Sequence, residues 1–181
     1  MNRQRQKSNI SFRIMALIHD NPLRRALDKP AKQLYAAGIR PGQRVLEVGC
    51  GPGFFTLPAA EIVGPQGSVF AIDIHPMAID TVGRKLSRTG LNNVELALVS
   101  ASDTGLPAES VDVAFLFGVA HALPMDEVIP EMYRLLKPGG VLAVETFSSR
   151  AVQKLYSDGL FQFVGKEGRV CKLKKQKRTE V

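Results

Sequence analysis

The stretch VLEVGCGPGFFT, residues 45–56, decides the fold. A valine-rich apolar run contains one acid, Glu47, and is followed by glycines at alternate positions, Gly49, Gly51 and Gly53. Alternate glycines allow the backbone to approach a ligand closely, because no Cβ atom intervenes. The run is typical of a buried strand, and the residues after it indicate a turn into a helix. This stretch therefore predicts a ligand site at a strand-to-helix junction.

Buried strands and helices alternate along the rest of the chain. Strands are predicted at RVLEVG (44–49), GSVFAIDI (67–74), NVELALVSA (93–101), SVDVAFLFG (110–118) and VLAVETF (141–147), and a hairpin at LFQFVG (160–165) and RVCKLK (169–174). Helices are predicted at 11–20, at 29–38, at 54–64, at 76–89 with Gly90 beyond the end, within 127–140 with the Pro-Gly-Gly segment 138–140 closing the helix, and at 150–159. This alternation indicates an α/β fold, a doubly wound and mostly parallel sheet with helices on both faces and an antiparallel C-terminal hairpin.

Length and composition limit the class of protein. A chain of 181 residues that is 45% hydrophobic suits a single domain. Its two cysteines, Cys50 and Cys171, have no ligand-like spacing, and no His/Cys/Asp cluster has metal-ligand spacing, so we predict neither a disulfide framework nor a metal. No apolar run reaches the roughly 18 residues of a membrane span. We therefore expect a cytoplasmic protein.

The net charge of +7 is unevenly distributed along the chain. Residues 1–44 hold ten Lys/Arg against two acids and residues 150–181 hold nine against three, whereas the middle holds five against twelve. Basic ends can form a polyanion-binding surface, or they can be solubilising, partly frayed termini. No aromatic residues interleave with the terminal charges, as a base-stacking surface would need, and this favours the second interpretation.

The spacing of the glycines distinguishes two classes of ligand. A dinucleotide fingerprint, G-x-G-x-x-G/A, needs a small third residue, but Phe54 occupies that position when the count starts at Gly49. The pattern present, E-x-G-x-G-x-G, resembles motif I of class I S-adenosylmethionine (SAM)-dependent methyltransferases. The stretches at 101–121 and 134–145 resemble later motifs of the group that includes ubiquinone/menaquinone-biosynthesis enzymes.

The resemblance covers roughly residues 40–148 and implies a Rossmann-like, seven-stranded sheet. It also implies SAM as the methyl donor and S-adenosylhomocysteine as the product. We divide the single domain, 1–181, into an N-terminal helical segment (1–40), a SAM-binding core (41–148) and a C-terminal helix and hairpin with a basic tail (149–181).

The same resemblance implies a set of cofactor-binding residues. They are Glu47, Gly49, Cys50, Gly51, Gly53, Asp73, Ile74, Ser102, Asp103 and Gly118. Glu47 would place a carboxylate close to the cationic ligand. Asp73 ends the second strand about twenty residues after the glycines, where an acid can accept hydrogen bonds from ribose hydroxyls; it could instead cap the following helix. Ile74 would then lie against the adenine face.

One position departs from the family pattern. An acid commonly follows the third strand, four or five residues before Leu-Pro, and contacts the adenine amino group. Ala101 and Ser102 occupy those places here, and Asp103 comes one step later. Either Asp103 reaches the adenine edge, or the Ser102 hydroxyl or a backbone group replaces it.

The chemistry predicted for such a site is an in-line methyl transfer, which needs a base only if the acceptor must lose a proton. His121, just past the fourth strand, is the candidate base, with packing or hydrogen bonding at a helix entry as the alternative. We expect a small-molecule acceptor and a monomer or homodimer. The alternatives are a nucleic-acid or protein methyltransferase that uses the basic termini, and a noncatalytic SAM-binding module.

Overall fold

A computed structural model of the protein describes residues 29–145, 153, 155–157 and 159–177. The helix predicted at 11–20 lies outside these residues, and so does half of the one predicted at 150–159.

Four α-helices and seven strands make up the described fold. The helices are α1 (Pro30–Ala37), α2 (Thr56–Val63), α3 (Pro76–Leu86) and α4 (Met125–Leu135). The strands are β1 (Arg44–Val48), β2 (Ser68–Asp73), β3 (Val94–Leu98), β4 (Val111–Leu116), β5 (Leu136–Glu145), β6 (Phe161–Glu167) and β7 (Val170–Lys175). A short 3-10 helix, Ala120–Ala122, lies between β4 and α4.

All seven strands form one sheet in the order β3-β2-β1-β4-β5-β7-β6. The strands from β3 to β5 are mutually parallel, whereas β7 runs antiparallel to both β5 and β6. The sheet reverses its winding direction between β1 and β4, and open α/β sheets bind their ligands at such a switch point. The prediction of a seven-stranded, mostly parallel sheet with an antiparallel hairpin is confirmed.

Helices cover both faces of the sheet, as predicted. Helices α1, α2 and α3 share one buried cluster with sheet residues that include Val45, Ala71 and Phe115. Helix α4 belongs to a second cluster with the alternating residues Leu46 and Leu116. Successive side chains of a strand point to opposite faces, so strands buried on both sides are apolar along their whole length.

The segment LKPGG, residues 136–140, follows α4 and begins β5. Helix α4 ends at Leu135, and Leu136 already has extended geometry. Leu136 pairs with Val111 and Val141 pairs with Val113, so the residues between them form an irregular excursion at the start of β5. Pro138 disfavours helical geometry at Lys137, so the helix cannot continue through this segment. The sequence predicted a helix closed by the Pro-Gly-Gly segment, and the end at Leu135, three residues before Pro138, agrees with it.

Candidate cofactor site

The glycine-rich turn is attached to the neighbouring strand by its own backbone. The amides of Gly49 and Cys50 both donate to the carbonyl oxygen of Ile72, at 2.8 and 3.0 Å. The Gly53 amide closes the turn on the Cys50 carbonyl at 2.9 Å. Because β1 and β2 are parallel, their carboxyl ends lie at the same edge of the sheet. The glycine-rich turn that follows β1 is hydrogen-bonded to the end of β2 at this edge.

Gly49 is required by the loop that follows β4. Its φ is +73°, and a Cβ atom added to it would lie 2.5 Å from Cγ1 of Val119. Contacts of that length do not occur between real carbon atoms, so any side chain at this position would displace the turn or Val119. The sequence identified the glycine correctly, but the contact that requires it comes from a residue 70 positions away.

Asp73 joins the glycine-rich turn to the start of α3. Its Oδ2 accepts a hydrogen bond from the Gly51 amide at 2.9 Å, and its Oδ1 accepts one from the His75 amide at 2.8 Å. The residue that caps α3 is His75, whose Nδ1 accepts from the Met77 amide at 3.3 Å. Asp73 therefore has a structural role, and each of its oxygens keeps a second lone pair for a further donor.

Glu47 is a buried acid in the middle of a parallel sheet. Its side chain is 2% exposed, and Oε2 has no hydrogen-bond partner among the described residues. Burial raises the pKa of Glu47 to about 8; the nearby Thr56 hydroxyl opposes this rise and the charge of Asp73 adds to it. The Thr56 hydroxyl is itself buried without a hydrogen bond of normal geometry. A carboxyl left in this state is suited to a positively charged ligand, which would offset the cost of its ionisation.

Two further side chains, those of Cys50 and Lys85, lie at the turn. Cys50 is buried at 3% exposure, and burial raises its pKa, so the thiol is not a reactive thiolate. Lys85 in α3 donates through Nζ to the Pro52 carbonyl at 2.6 Å, which fixes the far side of the turn. Lys85 was missed by sequence reasoning, because a lysine in an amphipathic helix gives no signal of a tertiary contact 33 residues away.

Ile74 is exposed to solvent directly after β2. Its side chain is 76% exposed, although most large apolar residues of the sheet are buried. An apolar surface at the carboxyl edge, next to Asp73, is suited to the flat face of a heterocycle. The contact of Ile74 with adenine stays a prediction.

The loop after β3 carries Ser102 and Asp103, and side chains of α4 bind the residues that follow them. The Ser102 and Ser100 hydroxyls are 2.9 Å apart, and the Asp103 amide donates to the Ser100 carbonyl at 3.2 Å. Asp103 is exposed and Ser102 is half-buried. Neither residue is removed from the cofactor edge by this geometry, so the choice between them stays open.

Glu131 and Arg134 of α4 anchor the next part of that loop. Glu131 Oε1 accepts from the Thr104 amide at 3.1 Å and from the Thr104 hydroxyl at 2.7 Å. Arg134 binds both carboxylate oxygens of Glu131, at 2.7 and 2.8 Å, and donates to the Leu106 carbonyl at 2.7 Å. These bonds lower the pKa of Glu131 to about 2. Sequence reasoning missed this network, which joins segments 27 residues apart.

Gly118 and His121 lie on the loop that follows β4, at the same edge of the sheet. Gly118 has φ +72° with open space where a Cβ would be. His121 is exposed within the 3-10 helix, so its side chain does not pack into the core. Within the described ranges, no three His, Cys, Asp or Glu residues are grouped as metal ligands would be.

The structure thus brings the glycine-rich turn, Glu47, Asp73, Ile74 and the loop after β4 to one edge of the sheet. That arrangement defines a nucleoside-cofactor-binding α/β protein of the Rossmann-like class. The role of each side chain in cofactor binding stays a prediction.

Comparison with known proteins identifies the family. Residues 39–179 match the model of the methyltransferase domain family. The chain is similar to the ubiquinone/menaquinone biosynthesis C-methyltransferase UbiE of Vibrio parahaemolyticus, with 34% identity over 137 residues that cover 73% of this chain and 53% of the relative. The Pasteurella multocida protein of the same name is 32% identical over 139 residues, which cover 74% and 52% of the two chains.

A solved structure gives the same result. The fold is similar to that of a SAM-dependent methyltransferase from Aquifex aeolicus, with a TM-score of 0.77 and 26% identity over 89% of this chain and 96% of that one. The chain belongs to the class I SAM-dependent methyltransferase family and is related to the ubiquinone/menaquinone-biosynthesis group. The methyl donor of this family, as its name states, is SAM.

The chain spans about half the length of the curated relatives it matches. Within the part of the chain that the structure describes, no helix has the length and apolar character needed to cross a membrane.

Proposed function

We propose that this protein transfers a methyl group from SAM to a small-molecule acceptor at the carboxyl edge of its sheet. The observation that carries the proposal is the buried, unpartnered carboxyl oxygen of Glu47 behind a glycine-rich turn. A buried acid without a partner lowers stability, so its presence at a ligand edge favours a cationic ligand as the missing partner.

The residues present fit SAM. In this proposal the Glu47 carboxyl lies toward the positive charge, and the backbone of the glycine-rich turn lies against the amino-acid part of the ligand. Asp73 has lone pairs left for the ribose hydroxyls, and Ile74 offers an apolar surface to adenine. When bound, SAM supplies a methyl group activated by a sulfonium leaving group.

The chain itself must then orient the acceptor and exclude water, because an in-line displacement depends mainly on alignment. The segment Val119–Met125 borders the site on the β4 side and provides half-buried apolar side chains. The names of the relatives state carbon methylation in quinone biosynthesis. We therefore propose a ring carbon of an electron-rich aromatic molecule as the acceptor atom.

A carbon acceptor has to lose a proton when it gains the methyl group. His121 is exposed on the loop after β4, at the same edge as the turn, and an imidazole can take up a proton near neutral pH. We assign His121 as the general base. His121→Gln keeps a polar side chain of similar reach and is expected to lower kcat far more than the affinity for SAM.

The experiment is a methyl-transfer assay with SAM labelled in its methyl group. The acceptors are hydroquinones, phenols and, as a different class, single-stranded RNA. Label transferred to carbon of a hydroquinone or phenol supports the proposal, and label in RNA contradicts it. SAM binding without transfer to any acceptor would instead favour a noncatalytic binding module.

A further inference from the structure

A cavity lies beside the cofactor edge, between α1 and the turn that joins β6 to β7. Its volume is about 320 Å³, which is in the range of small-molecule sites. Its lining consists of Lys32, Gln33 and Ala36 from α1 and of Glu167, Gly168, Arg169 and Val170 from the hairpin.

This cavity lies on the same edge of the sheet as the glycine-rich turn. Val170, the first residue of β7, pairs with Glu145, the last residue of β5, and β5 is parallel to β1 and β4. The β6–β7 turn is therefore at the carboxyl edge. Only β5 separates β7 from β4, which places the hairpin about 10 Å from the end of β4 at the usual strand spacing.

The cavity is also lined by one described element from each of the two basic segments, 1–44 and 150–181. Helix α1 belongs to the basic N-terminal segment and the hairpin to the basic C-terminal segment, and α1 packs against β5 and β7. Each contributes one cation to the lining, Lys32 and Arg169, against a single acid, Glu167. The buried residues Ala36 and Val170 add an apolar floor.

We propose that this cavity binds an anionic group, a carboxylate or phosphate, of the small-molecule methyl acceptor. This inference rests on the proposed function, because it makes the cavity the outer part of the acceptor site. The apolar part of the acceptor lies toward Val119–Met125 and its anionic end lies between Lys32 and Arg169. Arginine and lysine bind such groups through charge-assisted hydrogen bonds.

The size of the cavity favours a small anion over a polyanion. A nucleic acid needs a row of cations along an extended surface, with aromatic side chains to stack the bases. Here two cations border a small, partly open cavity together with an acid, and Tyr35, on the same helix as Lys32, is exposed. Its neighbour there is Arg40, whose guanidinium lies 5.6 Å from the ring centroid.

The test uses the full chain saturated with S-adenosylhomocysteine, and the probes are 2-naphthoate and its neutral amide. Calorimetry is expected to show the carboxylate binding at least about tenfold more tightly than the amide. Lys32→Gln and Arg169→Gln are each expected to remove most of that difference, and Glu167→Gln to increase it. Arg88→Gln, at an exposed arginine beyond the end of α3, is the matched control and is expected to change nothing.

Several results would overturn the inference. They are equal binding of the two probes, an unchanged preference for the carboxylate in both the Lys32 and Arg169 variants, or a loss of that preference in the Arg88 control as large as in those variants. Tighter binding of single-stranded RNA that depends on Lys32 and falls steeply with salt would assign the surface to a polyanion instead. Binding of S-adenosylhomocysteine is measured first on the same sample. Its absence would contradict the proposed function, whereas its presence together with any of these results would contradict this inference alone.

Discussion

Glu47→Gln is expected to stabilise the ligand-free protein at neutral and alkaline pH. The substitution keeps the shape of the side chain but removes an ionisable group that is 2% exposed and has an unpartnered oxygen. Most substitutions of buried polar residues destabilise a protein, so an increase in stability is a discriminating result. It would mean that the acid is retained for its ligand and not for the fold.

The size and sign of the effect follow from the pKa of Glu47. In the folded protein it is raised to about 8 from 4.5, mainly by burial, so the native state holds a proton that the unfolded chain has released between these values. The contribution of Glu47 to the unfolding free energy is therefore highest below pH 4.5 and falls as the pH rises through that window. Between pH 5 and pH 8 the loss is roughly 3 kcal/mol, and the variant does not share it.

The assay is urea denaturation of both proteins from pH 5 to pH 8, without SAM. The two unfolding free energies should be similar at pH 5, and the variant should be more stable by about 2–3 kcal/mol at pH 8. Glu131→Gln is the matched control, since Glu131 is another buried acid but has its pKa lowered to about 2 by Arg134 and Thr104. Its loss should destabilise the protein by about 2–3 kcal/mol at pH 7.

Unfolding free energies that change with pH in the same way for wild type and Glu47→Gln would refute this reasoning. They would mean that the carboxyl is already ionised in the folded protein near neutral pH. Destabilisation by both substitutions would likewise show that Glu47 is satisfied within the fold, and the main argument for a cationic ligand would be lost.

Three further predictions concern the turn and its ligand. Asp73→Ala should weaken SAM binding by about 1.5–3 kcal/mol in calorimetry, and unchanged affinity would remove the ribose role. Gly49→Ala should cost about 1–3 kcal/mol more in unfolding free energy than Gly90→Ala, because the two φ angles are similar but only Gly49 faces Val119; Val119→Ala should recover part of the excess, and equal costs would contradict the contact. SAM affinity should rise from pH 6 to pH 8 as Glu47 loses its proton, and a flat profile would count against that contact.

The parts of the fold that depend on short-range patterns could be predicted from the sequence. Valine-rich runs identified the strands, and their alternation with helical patterns identified the parallel sheet. The glycines at 49, 51 and 53 identified the turn because their spacing is a local backbone property. Proline was informative near the end of α4, since the Pro-Gly-Gly segment that starts at Pro138 indicated correctly that the helix closes there.

The contacts that stabilise the site could not be predicted, because they join residues far apart in the chain. Lys85 reaches Pro52, and Val119 occupies the space that the glycine at 49 leaves. Glu131 holds Thr104 through two hydrogen bonds. Each of these side chains is ordinary for its own element, and only the packing of the sheet and helices brings it to its partner. Single-sequence patterns report local periodicity and carry no information on such pairs.

Calorimetric titration of the purified chain with SAM, S-adenosylhomocysteine and NAD at pH 8 tests the central claim most directly. We predict saturable binding of SAM and S-adenosylhomocysteine at one site per chain, lost on Asp73→Ala or strongly weakened, and no uptake of NAD. Binding of NAD in place of both adenosyl compounds would show that the turn after β1 holds a pyrophosphate and would contradict the account.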